Sequence, residues 1–357
     1  MPSAPEPTRS SRRTLVLSIA ALAIGSVGVA GCGPAGQGPT PTNPSSGTSD
    51  QPSTDGPASA DPGQGAAPAV PGALEAALLH ETVAADAATV LAVGHKKLGA
   101  TGRKLITAVR DQQLAHVAAL RAPDPTDPNS TAPSPSASPA AEPPSFAKAV
   151  AQLEKAAANA ATMHRRNTVT ADQLTALLWG SLATSAGATA TILKAADLAG
   201  DDPDPGIAAV GKVRSRSPMP VVPIVAAEQE VVRQLHALIY GYQLALGRLK
   251  GARRDAAQTE LRRHRVLRDR LATRLLNTKA DVPVAKAAYV PSTNPRNATT
   301  AAKLIRQIET SFQPFCGLWL AAAATPAERT EALDQLGHTT TVARQWGAAL
   351  STWPGWA

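Results

Sequence analysis

The chain predicts an all-α fold, two four-helix bundles in tandem behind a flexible tether, and three observations carry that expectation. Prolines are partitioned: residues 33–73 hold nine, 123–145 hold eight and 201–223 hold five, so 22 of the 31 lie in three segments. Proline removes a helical hydrogen bond and clashes with the preceding turn, so the nearly proline-free stretches between are free to run as long helices. In those stretches apolar residues recur at steps of three and four, which places them on one helix face. No stretch alternates apolar and polar residues with the β-branched content of a strand.

Composition sets the bounds. At about 150 residues per domain, 357 residues suggest two. Hydrophobic residues at 43% and charged ones at 17% are ample for a buried core. Aromatics are only 3%, so that core is built from small side chains. Two cysteines exclude a disulfide-stapled fold and any multi-cysteine zinc or iron–sulfur centre.

Residues 1–31 read as an export signal. Arg9, Arg12 and Arg13 form a basic start, and the apolar run from Leu15 to Ala30 is broken by Gly25 and Gly28. It falls short of the ~20 residues that a spanning helix needs. The run ends in Val29-Ala30-Gly31-Cys32, which resembles a bacterial lipobox, with small residues ahead of a cysteine that is acylated and becomes the new N-terminus. Ser11-Arg12-Arg13 leaves general and twin-arginine export both open. Loss of Arg9, Arg12, Arg13 and Glu6 lowers the net charge from +8 to +6 and leaves Cys316 as the remaining free thiol. Acyl chains on Cys32 would hold the protein on the extracytoplasmic face of the cell membrane. Residues 32–73, rich in Pro, Gly, Ser and Thr, are then a disordered tether.

The elements follow in order. Leu74, Ala77, Glu81, Ala84, Ala88, Leu91, His95 and Leu98 share one helix face, and Leu105, Val109, Gln112, His116 and Leu120 line a second helix after a turn at Gly99–Gly102. Two more helices are expected near 146–165 and 171–199, the latter capped by Thr170 or Asp172. With a disordered loop at 123–145 they make one unit, 74–200. After a linker at 201–223 a second unit, 224–357, repeats the plan. Val231, Leu235, Leu238, Tyr242, Ala245 and Leu249 mark its first helix, and Leu261, His264, Leu267, Leu271 and Leu275 its second. Two more lie near 299–324 and 327–350, the former with Pro314 inside and a kink expected near Thr310. The pairs His80…His116 and His236…His264 correspond loosely between the units.

Glu228 ahead of His236-Ala237-Leu238-Ile239-Tyr240, His264 followed by Arg268-Asp269, Ala343-Arg344-Gln345-Trp346 and Trp353-Pro354-Gly355 together resemble the actinobacterial ferritin-like lipoprotein domain of unknown function. The first unit looks like a divergent copy. The resemblance implies ferritin-like four-helix bundles in the cell envelope and no established activity.

A ferritin-like di-metal site needs a Glu from each of two helices and a Glu-x-x-His from each of the other two. Glu81 and His116 fit, but Gln113 stands three residues before His116, and Ser181, Ser185 and Ala188 stand where a second Glu-x-x-His belongs. In the second unit Leu261 precedes His264 by three, and Glu309 flanks the stripe of Ile305, Ile308, Phe312 and Phe315. Asp334 and His338 read as an exposed pair four residues apart. The expectation is therefore no metal site, no cofactor and no catalytic constellation. Glu81, His116, His236, Tyr240 and His264 are the candidate ligand or metal contacts.

Charge concentrates between Leu246 and Leu275, where ten Lys and Arg face three acids. Arg253, Arg254, Arg262, Arg263, Arg265 and Arg268 form a basic surface suited to anionic lipid headgroups or an envelope polymer. Nucleic acid is not expected, because no stacking aromatics are interleaved. The chain thus reads as a membrane-anchored, non-catalytic helical module that binds a partner or ligand. The competing reading is a ferritin-like metal-binding oxidoreductase or metal-storage protein.

Overall fold

A computed structural model describes residues 71–130, 132, 144–200 and 209–356. The signal, Cys32, nearly all of the tether, most of the 123–145 loop and the start of the linker lie outside the described residues. Among those described, the fold is all-helical. It has eight helices: α1 (Pro71–Gly94), α2 (Ala100–Leu120), α3 (Phe146–Thr170), α4 (Gln173–Ala195), α5 (Ile224–Leu246), α6 (Gly251–Asn277), α7 (Ala298–Ala322) and α8 (Pro326–Gln345).

The helices form two four-helix bundles. In the first, α1 packs on α2 and α3, and α3 on α4; in the second, α5 packs on α6 and α7, and α7 on α8. The bundles meet where α4 lies against α7 and α8, and α3 against α8. Helix α4 is therefore buried on nearly every side from Thr175 to Ala186. Gly180 faces the second bundle there, and a Cβ added to it would stand 2.3 Å from Leu320 Cδ2. Helices Gly72–Gly94 and Gln173–Ala195 are long and apolar enough to cross a membrane by length and composition, and the second is mostly buried in this fold.

Local chemistry explains several helix ends. Asn297 and Thr300 make reciprocal side-chain-to-backbone hydrogen bonds at the start of α7, and Thr325 and Glu328 do so at α8, where Pro326 sets the first turn. Asp172 is the N-cap of α4, and its carboxylate is taken by Arg329 rather than by the helix. Gly102, expected in the turn, is inside α2, where a Cβ would meet the Leu198 carbonyl at 2.1 Å. Helix α7 continues through Pro314 to Ala322.

After α8 the chain turns back onto the first bundle. Leu350 pairs with Val210 in an isolated bridge, and Gln112 donates to the carbonyls of Gly211 and Leu350, each at 3.1 Å. Trp353 and Trp356 bracket the Arg216 guanidinium at 4.8 and 4.9 Å, while Arg216 donates to the carbonyls of Pro125 and Asp127. Gly355, at φ +90°, lies against Gly317, where a Cβ would fall 1.9 Å from the Gly355 carbonyl oxygen. Residues 209–223, read from the sequence as a linker, thus run extended between the loop after α2 and the C-terminal tail.

Candidate functional site

Each bundle carries a buried polar centre built around one carboxylate. In the first, Glu81 of α1 is fully buried and accepts from both imidazoles that face it: His116 Nδ1 of α2 at 3.0 Å and His164 Nε2 of α3 at 2.7 Å. His116 Nε2 donates at 2.9 Å to the carbonyl of Thr352, which can only accept, so that nitrogen carries its hydrogen. Trp353 leans on His116 at 4.8 Å between centroids, and Trp179 stacks on His164 at 5.7 Å. Burial pushes the Glu81 carboxyl up, but the charges and hydrogen bonds of His116 and His164 outweigh it and hold it down at about 2. Four further buried atoms, Gln113 Oε1, His164 Nδ1, Ser181 Oγ and Ser185 Oγ, have no hydrogen-bond partner.

The second centre belongs to Glu309 of α7. Its Oε1 accepts from Tyr242 of α5 at 2.6 Å and from His264 Nε2 of α6 at 2.8 Å; its Oε2 accepts from the Thr339 hydroxyl of α8. All four helices are tied through one carboxylate. Burial raises that carboxyl, yet His264, Thr339 and Tyr242 together bring it below its ordinary value. The same burial, then the Glu309 charge, push the Tyr242 phenol and the Cys316 thiol well above theirs. Cys316 is fully buried.

This placement corrects the reading of Glu309. The buried stripe of α7 runs Ile305, Glu309, Phe312, Cys316, with Ile308 and Phe315 only partly buried, so the carboxylate sits in the stripe rather than beside it. Asp334 and His338 do not pair with each other: Asp334 holds Arg165 of α3 at 2.6 Å, and His338 holds Glu260 of α6 at 2.7 Å.

Of the five candidate contacts, Glu81, His116 and His264 lie in the two centres. His236 does not; it is half-buried, with Nε2 3.1 Å from the Pro283 carbonyl. Tyr240 lies 5.6 Å from Tyr289 and lines a cavity of about 240 Å³ with Leu304, Ile308 and Phe312. Glu228, also buried, pairs with Arg274 at 2.7 Å and takes no part in the Glu309 centre. Of the basic residues, Arg253, Arg254, Arg262, Arg263 and Arg265 are exposed on α6, while Arg268 is half-buried and holds Asp269.

Sequence reasoning missed His164, Tyr242 as a donor, Thr339 and Thr352. His164 was findable, because Leu153, Ala157, Ala160, His164 and Thr168 keep steps of three and four. Thr352 was not, since its part is played by a backbone carbonyl brought in by the tail.

The donor set does not fit a di-metal cage. Such a cage draws on four carboxylates, and each centre offers one, already accepting two or three hydrogen bonds. Among the described residues, no three His, Cys, Asp or Glu side chains are grouped so as to hold a metal ion.

Residues 227–357, covering α5 to the tail, match the family described as Domain of unknown function (DUF4439). No curated protein and no solved structure gave a significant match.

Proposed function

We propose that the chain is a lipid-anchored, non-catalytic module of ferritin-like bundles on the extracytoplasmic face of the cell membrane, where it binds a partner or ligand. The observation that supports it most is the use of the central carboxylates. In each bundle the single central acid is hydrogen-bonded to side chains from neighbouring helices and acts as a tie between them. A single carboxylate so engaged lacks the companion carboxylates that a ferritin-like di-metal cage requires. The lipobox at Cys32 supplies the anchor, and the cavity beside Tyr240 and Tyr289 is of a size for a small apolar or aromatic ligand.

Two measurements on the purified protein test this. Native mass spectrometry is expected to show the chain with less than stoichiometric metal, and with any ligand carried through purification. Iron or manganese at one or two ions per chain, lost on substitution of Glu81, would overturn the reading in favour of a metal-binding oxidoreductase or store. Separately, Cys32→Ser is expected to move the protein from the membrane fraction to the soluble one. Membrane retention of that variant would remove the anchor from the proposal.

A further inference from the structure

We infer that the outward face of α6 is a docking surface for an anionic phospholipid bilayer. The inference rests on the envelope location proposed above but not on the acyl anchor. The inner stripe of α6 is Ala257, Leu261, His264, Leu267, Leu271 and Leu275. The opposite meridian, again at steps of four and three, is Arg262, Val266, Asp269, Thr273 and Leu276. Val266 and Leu276 stand 64% and 65% exposed on this meridian.

The arginines divide into two classes. Arg268, Arg270 and Arg274 are engaged by Asp269, Glu331 and Glu228. Arg253, Arg254, Arg262, Arg263 and Arg265 are exposed and, among the described residues, have no carboxylate partner; Arg262 reaches only the Thr259 hydroxyl. Asp255 is the one exposed acid among them that is not ion-paired. Arg253, four residues before Ala257, continues the inner stripe. The four uncompensated guanidiniums of Arg254, Arg262, Arg263 and Arg265, however, lie on or beside the outward face with its two protruding aliphatics and match a headgroup layer. The charges meet phosphates, the long stems lie along the interface, and Val266 and Leu276 enter its apolar edge. A soluble polyanion has use for the charges but none for the aliphatics. That difference selects the bilayer.

The test uses the full chain carrying Cys32→Ser, with and without further substitutions, so that the N-terminal segment is common to every sample. Binding to phosphatidylcholine vesicles with and without phosphatidylglycerol is read by co-sedimentation at low and high salt. The parent is expected to bind only the anionic vesicles, and less in high salt. At about fivefold per arginine, Arg262→Gln/Arg263→Gln/Arg265→Gln should weaken binding on the order of a hundredfold. Val266→Ser/Leu276→Ser should weaken it severalfold without changing the salt slope. Both sets are exposed, so circular dichroism should be unchanged. Equal binding to neutral vesicles, or an unaffected arginine variant, would overturn the inference. So would an aliphatic variant that binds as the parent does while soluble polyphosphate competes fully, which would assign the face to a polymer. Failure of the anchor would show instead in membrane fractionation of the chain with Cys32 intact.

Discussion

The two buried centres share one position and little else. Each has an imidazole on its second helix, His116 or His264, hydrogen-bonded to a fully buried glutamate. The glutamate stands on the first helix in one bundle and on the third in the other, and the remaining donors differ: His164 in the first, Tyr242 and Thr339 in the second. Metal coordination would constrain which helix supplies the acid. A structural tie requires only that a carboxylate reach the bundle axis and find donors there. The centres also differ in connection. Glu309 ties only its own four helices, whereas Glu81 is linked through His116 to Thr352, and so to the tail of the other bundle.

The largest expected effect comes from severing that link. Glu81→Leu leaves two buried imidazoles without their acceptor and should cost about 3–5 kcal/mol in chemical denaturation. It should also raise hydrogen exchange at Ser351–Gly355. Glu309→Leu should cost a similar amount and leave tail exchange unchanged. A tail that loosens equally in both variants would erase the distinction between the centres.

Acid probes the same contrast. The Glu81 carboxyl lies at about 2 when folded against an ordinary value of 4.5, so its contribution is complete above 4.5 and is lost as pH falls through 2. That difference corresponds to about 3 kcal/mol. Glu309 moves in the same direction. Stability measured against pH should therefore fall across this window, with a shallower slope in Glu81→Gln. Equal slopes would mean that Glu81 is not held by its imidazoles. A somewhat smaller loss, about 1–3 kcal/mol, is expected for Gly317→Ala, whose new methyl collides with the Gly355 backbone. Tryptophan fluorescence should report Trp353 and Trp356 leaving their contacts with Arg216.

Much of this architecture was legible in the sequence because it depends on local rules. Proline placement marked the helical stretches, and Glu81 and His116 fell on the inner stripe. Glu309 was harder, because on α7 apolar residues occupy two adjacent stripes and the choice between them is made by α5 and α8. The tail was harder still. Its contacts with Gln112, His116 and Arg216 span long sequence separations, and those of Gln112 and His116 include bonds to backbone carbonyls, which carry no side-chain signal. Likewise α4 reads as an ordinary apolar helix; only the second bundle packed against it explains why it is buried on nearly every side.

The smallest predicted effect sharpens the comparison most. Tyr242→Phe removes one of three donors to Glu309 while its ring still fills the space beside His264. The carboxylate keeps His264 on the same oxygen and Thr339 on the other, so no buried acceptor is stranded, and the loss should be about 1 kcal/mol. In the first centre, His164→Phe removes one of only two donors, and no other donor reaches that oxygen. Its cost should exceed that of Tyr242→Phe by at least twofold in the same denaturation assay. Equal costs would mean that the count of donors does not govern these centres.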